Sequence, residues 1–141
     1  MKRLLILSCS ERKKSNPRLL PAVERYDGPA FRVLRKYLRT TDDSSLCVCI
    51  LSAKYGIIGA DAPTPDYNRK MTLERAEALR SRSELQLSKL VRGGQYREVF
   101  LCMGQIYLRA ISCSDTLGVP VRIAAAGQGK KLASLKAWLG E

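Results

Sequence analysis

The segment Leu46-Cys-Val-Cys-Ile-Leu-Ser52, running on into Ala53-Lys-Tyr-Gly56, constrains the fold more than any other part of this chain. Its apolar residues do not alternate with polar ones, so both faces of the strand it predicts must be covered. Strands buried on both faces belong to parallel sheets, whose crossover helices cover each side. The run stops abruptly at Ser52, Lys54, Tyr55 and Gly56. About fifteen irregular residues then follow, Gly59, Asp61, Pro63, Pro65, Asp66 and Tyr67 among them. α/β proteins place ligands at the carboxyl ends of their strands. Compact domains rarely keep so long an irregular connection without a binding or catalytic use. The plainer alternative is a buried strand end followed by a surface connection.

The rest of the chain keeps one rhythm. Residues 3–8 form a short apolar strand, and a loop runs from Cys9 to Gly28. Pro29 opens a helix reaching about Leu38, because its missing N–H is not needed in a first turn. Thr72 caps a long helix with Glu74 in its first turn, and Gly93-Gly94 ends it. Residues 98–103 are a third strand, 106–112 open a third helix, 119–126 are a fourth strand, and 130–139 are a final helix containing Trp138. Strand and helix alternate four times. The expected fold is α/β, a single domain over residues 1–141 with a mostly parallel, four-stranded or slightly larger sheet and helices on both faces.

Composition narrows the chemistry. The chain carries 25 Lys and Arg against 13 Asp and Glu, a formal net charge of +12, which attracts phosphates, nucleic acid or anionic surfaces. Basic residues recur on the predicted helices, at Arg32, Arg35, Lys36 and Arg39 and at Arg75, Arg80, Arg82, Lys89, Arg92 and Arg97. A merely solvated basic surface is the simpler alternative. Histidine is absent, which removes histidine triads and histidine metal ligands and leaves Lys, Asp, Glu, Tyr, Ser and Cys for any chemistry. The five cysteines, Cys9, Cys47, Cys49, Cys102 and Cys113, are odd in number and form no Cys-x-x-Cys pair. Reduced thiols in a cytoplasm fit them better than disulfides or zinc, and no metal or cofactor is expected. No stretch approaches the roughly 18 apolar residues of a membrane span, so no membrane partner is expected. The charged and apolar start lacks a small-residue cleavage site and reads as a first strand, not a signal peptide.

Four constellations fall at one predicted edge of the sheet. After the first strand, Cys9-Ser-Glu-Arg-Lys13 offers a thiol, a hydroxyl, backbone N–H groups and a lysine suited to contact phosphate or act as an amine nucleophile. Its plain alternative is a core cysteine beside a solvated loop. In Glu24-Arg-Tyr-Asp-Gly-Pro-Ala-Phe31, Tyr26 and the turn at Gly28 would aim a helix N-terminus, an anion-binding element, at that edge. Tyr26 packing and Asp27 capping explain it equally well. In the third, Tyr55 and Tyr67 supply faces for stacking a base, each worth roughly 1–3 kcal/mol, and Asp61 and Asp66 are placed to accept a proton. In the fourth, Gly127, Gly129 and Lys130, with Lys131, resemble a phosphate cradle without completing a P-loop or dinucleotide fingerprint.

Together these motifs resemble an uncharacterised group of small YaaA-like proteins. The resemblance rests on Cys9-Ser-x-x-Lys13, Tyr26-x-Gly28-x-x-Phe31, Leu51-Ser-Ala-Lys-Tyr-Gly56 with Asp66-Tyr67, and Gly127-x-Gly129-x-x-Leu132-x-x-Leu135. Residues 51–71, with Pro65-x-Tyr67-x-x-x-Met71, are also similar to the larger YaaA peroxide-stress proteins, which implies DNA binding and one mixed α/β domain. Residues 9–13 more faintly resemble the Cys-Ser-x-x-Lys of archaeosine synthase, an enzyme modifying a deazaguanine base in transfer RNA. The Pro-Tyr that follows the lysine there is Lys14-Ser15 here. The implied partner is nucleic acid or a nucleotide. The leading expectation is a small enzyme acting on a nucleobase or its N-glycosidic bond. Lys13 or Lys54 would serve as nucleophile or stabiliser, Asp61, Asp66 or Glu24 as proton acceptor, and Cys9, Ser10, Tyr26, Gly28, Ser52, Tyr55, Gly56, Tyr67, Gly127, Gly129 and Lys130 as binding residues. The alternative is a noncatalytic DNA- or RNA-binding protein of stress-response or phage-defence type.

Overall fold

A computed structural model describes residues 2–10, 13–111 and 116–140. Glu11 and Arg12 of the first motif, Ser112 and Cys113 lie outside the described residues. In chain order the elements are β1 (Lys2–Ser8), β2 (Leu20–Pro21), α1 (Ala22–Arg25), α2 (Pro29–Thr40), β3 (Leu46–Ser52), β4 (Gly56–Gly59), β5 (Pro63–Thr64), α3 (Leu73–Gly93), β6 (Tyr96–Cys102), α4 (Gln105–Leu108), β7 (Val121–Ile123) and α5 (Gln128–Leu139).

The main sheet has the order β4-β3-β1-β6-β7. β1 runs parallel to β3 and β6, β6 runs parallel to β7, and only β4 is antiparallel, at the edge. The chain is therefore a mixed α/β fold with a five-stranded, mostly parallel sheet. Leu4, Leu5, Ile6 and Leu7 of the central strand have no exposed surface, as a strand covered on both faces requires. Each such side chain contributes roughly 1.5–3 kcal/mol of burial. The crossovers β1–α2–β3 and β3–α3–β6 travel in opposite directions along the sheet, so right-handed connections put α2 and α3 on opposite faces. Accordingly α2 packs with α5, and α3 with α4.

Three local expectations change. The stretch after Gly56 is not irregular: residues 56–59 fold back on β3 as a hairpin, and Pro63–Thr64 pairs antiparallel with Leu20–Pro21. Gly56-Ile-Ile-Gly59 is too short to show an alternation, and Pro63–Thr64 finds its partner more than forty residues away. The third helix is a single turn, extended to Ile111 by i to i−3 hydrogen bonds from Arg109, Ala110 and Ile111. The fourth strand shortens to three residues, and α5 begins at Gln128, because Gly127 takes φ +92° and turns the chain.

Two polar clusters brace this frame. At the amino end of the strands the Arg3 guanidinium lies 4.4 Å from the Trp138 ring centre, donates to the Trp138 carbonyl at 2.6 Å, and pairs with Asp43 at 2.9 Å. Trp138 stacks on Phe100 at 4.9 Å and donates its indole N–H to Glu98 at 2.6 Å. Bonds donated by Ser45, Tyr37 and Arg3 hold the Asp43 carboxyl well below the usual carboxylate range. In the second cluster Arg25 is fully buried. Its guanidinium donates to the carbonyls of Thr64 at 3.0 Å, Lys14 at 2.5 Å and Arg18. That buried cation ties the loop after Lys13 to α1 and β5.

Candidate functional site

The strand order reverses beside β1, where the chain leaves toward β3 on one side and later returns to β6 on the other. In open parallel sheets such a switch point opens a crevice at the carboxyl ends of the strands. Cys9 and Ser10 sit there, and both line two adjoining pockets. One, of about 270 Å³, is completed by Arg69, Lys70, Met71 and Tyr107. The other, of about 210 Å³, is bounded by Ser8, Gly28, Pro29, Ala30, Phe31, Cys102, Gln128 and Lys131.

The first turns of α2 and α5 form the wall of the second pocket. Neither helix has a side-chain cap or an acidic residue in its first turn, whereas α3 has both, with Thr72 accepting the Arg75 N–H and Glu74 beside it. Uncapped first-turn N–H groups are donors for an anion, and the helix dipoles favour one there. Gly28 lets the start of α2 come close to the segment that follows β1: a Cβ at that position would lie 3.0 Å from the Ser10 Cβ.

Above β3 a chain of hydroxyls links three of the predicted motifs. The Ser52 Oγ accepts the N–H groups of Lys54 and Tyr55, both at 3.1 Å, and lies 2.7 Å from the Tyr67 hydroxyl. With both lone pairs of Ser52 so used, its proton points to Tyr67, which in turn hydrogen-bonds to the Tyr26 hydroxyl. Burial pushes the Tyr26 phenol up to about 12 and the Tyr67 phenol further in the same direction. Both remain protonated donors at neutral pH. The Lys13 ammonium lies 4.6 Å from the Tyr67 ring centre and 5.6 Å from that of Tyr26. The Lys54 ammonium lies 5.5 Å from Tyr67 and 5.3 Å from Tyr55. Two cations thus flank one ring.

Backbone pinning holds this arrangement. The Arg75 guanidinium donates to the carbonyls of Ala53 at 2.7 Å and Lys54 at 3.0 Å, fixing the turn that leads into Gly56. Gly56 takes φ +76°, the left-handed conformation that glycine allows. The Cys9 thiol receives the Ala53 N–H at 3.4 Å and lies 3.4 Å from the Tyr107 hydroxyl.

The fold brings Cys9, Ser10 and Gly28 into one crevice and sets Lys13, Tyr26, Ser52, Lys54, Tyr55 and Tyr67 around one hydroxyl chain. Tyr26 has no exposed surface, so it holds the chain together and offers no face for stacking a base. Gly127 caps α5 and Gly129 and Lys130 are in its exposed first turn, but Lys131 rather than Lys130 lines the crevice. Asp61 and Asp66 are exposed, line neither crevice pocket, and make no hydrogen bond or ion pair among the described residues. Glu24 is paired with Lys14 at 3.5 Å. Sequence reasoning did not single out Tyr107, Arg69, Lys70 or Gln128, and Met71 entered only through the motif resemblance. The signal for Tyr107 was its place just after β6, which becomes meaningful only once β6 is known to adjoin β1.

The chain belongs to DUF6884, a family of unknown function, which it matches over residues 4–137. No curated protein matches it. It is similar in fold to AF0587, a protein of unknown function known from its crystal structure, with a TM-score of 0.60 and 17% sequence identity. The similarity covers 99% of this chain and 44% of that one, so the present chain spans less than half the length of that neighbour.

Proposed function

We propose that this protein binds a nucleotide, free or within nucleic acid, in the crevice at the carboxyl ends of its strands. The leading form of the proposal is a small enzyme acting on the base or its N-glycosidic bond. One observation carries it: Cys9 and Ser10 join a pocket walled by two uncapped helix N-termini and Lys131 to a second pocket walled by Arg69, Lys70 and the Tyr107 ring. The first has the donors that a phosphate requires. The second combines cations with an aromatic and a thioether surface, the mixture that suits a base. The resemblance to YaaA-like proteins and the net charge of +12 support the same class of ligand.

For catalysis, Lys13 and Lys54, whose ammonium groups both lie close to the Tyr67 ring, are the candidates to stabilise charge developing on a base or sugar. The proton acceptor is the weakest part of the enzyme form. Asp61 and Asp66 stand apart in the solvent, and Glu24 is engaged by Lys14. That observation favours a noncatalytic nucleic-acid-binding protein as the second reading.

The test is direct. Binding of fluorescent nucleotides and short oligonucleotides is measured for the unaltered protein and for Lys131→Ala, Lys13→Ala and Lys54→Ala, while mass spectrometry follows base release or modification. The enzyme form predicts turnover that Lys13→Ala or Lys54→Ala abolishes with little loss of affinity, and affinity that Lys131→Ala lowers about tenfold. Binding without turnover selects the noncatalytic form. Absence of binding to every nucleotide and oligonucleotide overturns both.

A further inference from the structure

The two faces of the sheet differ in charge pattern. On one, α3 mixes signs, with Glu74, Glu77 and Glu84 among its basic residues and Arg80 paired to Glu77 at 3.0 Å. On the other, α2 and α5 together contain no Asp or Glu at all. Lys36 and Arg39 on α2, Lys130 and Lys136 on α5, and Arg122 on the adjoining edge strand β7 are exposed and make no ion pair among the described residues. Arg32, also exposed, is held loosely by Asp27 at 3.4 Å. At about 1.5 Å of rise per residue, Arg32, Lys36 and Arg39 spread over about 10 Å on one side of α2, and Lys130 to Lys136 over a similar length of α5.

Such a surface leaves several cations unneutralised, and their mutual repulsion is relieved only by an anionic partner or by counterions. Both helices follow parallel strands and run side by side, with their first turns in the wall of the Cys9–Ser10 crevice. A polyanion lying on this face therefore reaches the mouth of that crevice. We propose that the α2/α5 face, and not the α3 face, is the docking surface for the sugar-phosphate backbone of a nucleic acid, whose strand it presents to the crevice. The proposal rests on the nucleotide reading of the crevice and deepens it by naming a polymeric ligand and the face that holds it.

Two charge-matched variants test it. Lys36→Glu/Arg39→Glu/Lys136→Glu alters the α2/α5 face, and Arg80→Glu/Arg82→Glu/Lys89→Glu alters the α3 face; melting curves confirm that both fold. Binding to a labelled mixed-sequence oligonucleotide, single-stranded and duplex, is measured across a salt series. The expected result is a loss on the order of a hundredfold for the α2/α5 variant, with the slope of log affinity against log salt reduced by about 2 to 3, and a few-fold loss for the α3 variant. Equal losses, or a larger loss for the α3 variant, overturn the proposal. So does binding by the unaltered protein to phosphatidylserine vesicles but not to oligonucleotides. If the protein binds a free fluorescent nucleotide but no oligonucleotide, this proposal fails and the crevice reading stands. If it binds neither, the crevice reading fails too.

Discussion

Replacing Arg25 with methionine removes a buried charge while keeping most of its volume. The guanidinium has no exposed surface and contacts three backbone carbonyls, those of Lys14, Arg18 and Thr64. Hydrogen bonds to a charged group contribute roughly 1.5–3 kcal/mol each. Against their loss stands relief from desolvating the cation, which is several kcal/mol. The net cost expected for Arg25→Met is about 2–4 kcal/mol, or a fall in melting temperature on the order of 10 °C for a chain of this size. Arg25→Lys keeps the charge but cannot reach three carbonyls from one nitrogen, and should fall between. A local readout accompanies the global one. The carbonyls of Lys14 and Arg18 belong to the two peptide bonds that trypsin would cut there, and Arg25 immobilises both. Limited trypsin digestion followed by mass spectrometry should show cleavage after Lys14 and Arg18 rising many-fold in Arg25→Met. Unchanged stability, or unchanged cleavage at those two bonds, would refute the view of Arg25 as the strut of the Lys13 loop.

Two other outcomes follow from the same physics. Gly56→Ala forces a side chain into φ +76° and sets its Cβ 2.7 Å from the Gln86 Oε1 that accepts the Ile57 N–H. It should cost about 1–3 kcal/mol in a urea titration, and a change below roughly 0.5 kcal/mol would count against the strain. Asp43 has a folded pKa depressed below its unfolded value, so its contribution is present above the ordinary carboxylate range and is lost as pH falls through the folded value. Asp43→Asn should therefore flatten the decline in melting temperature below about pH 4, and parallel declines for both proteins would contradict the assignment.

The sequence marked the frame and the site unequally. β3 was legible to the residue because a continuous apolar run has one environment that suits it, the middle of a covered sheet. The starts of α2 and α3 were legible from Pro29 and Thr72, whose chemistry acts within a single turn. β4, β5 and β2 were not: runs of two to four residues leave no periodicity to read, and β5 meets β2 across more than forty residues of sequence. Arg25 looked like any surface arginine, and its burial follows from three carbonyls that only the folded loop assembles.

The local signals in Cys9-Ser10, Ser52-Ala-Lys-Tyr-Gly56, Tyr67 and Gly127 already identified strand ends and turns able to present donors, cations and rings, since those properties reside in single residues. Tertiary structure decided which of them meet. It put β1 between β3 and β6, buried Tyr26 beneath Tyr67, chose Lys131 over Lys130, brought in Tyr107 and left the aspartates outside. It also gathered the acid-free helices α2 and α5 on one face. Residue chemistry is written locally, but the order of strands in a parallel sheet is set by long crossovers, and it is that order which makes a crevice.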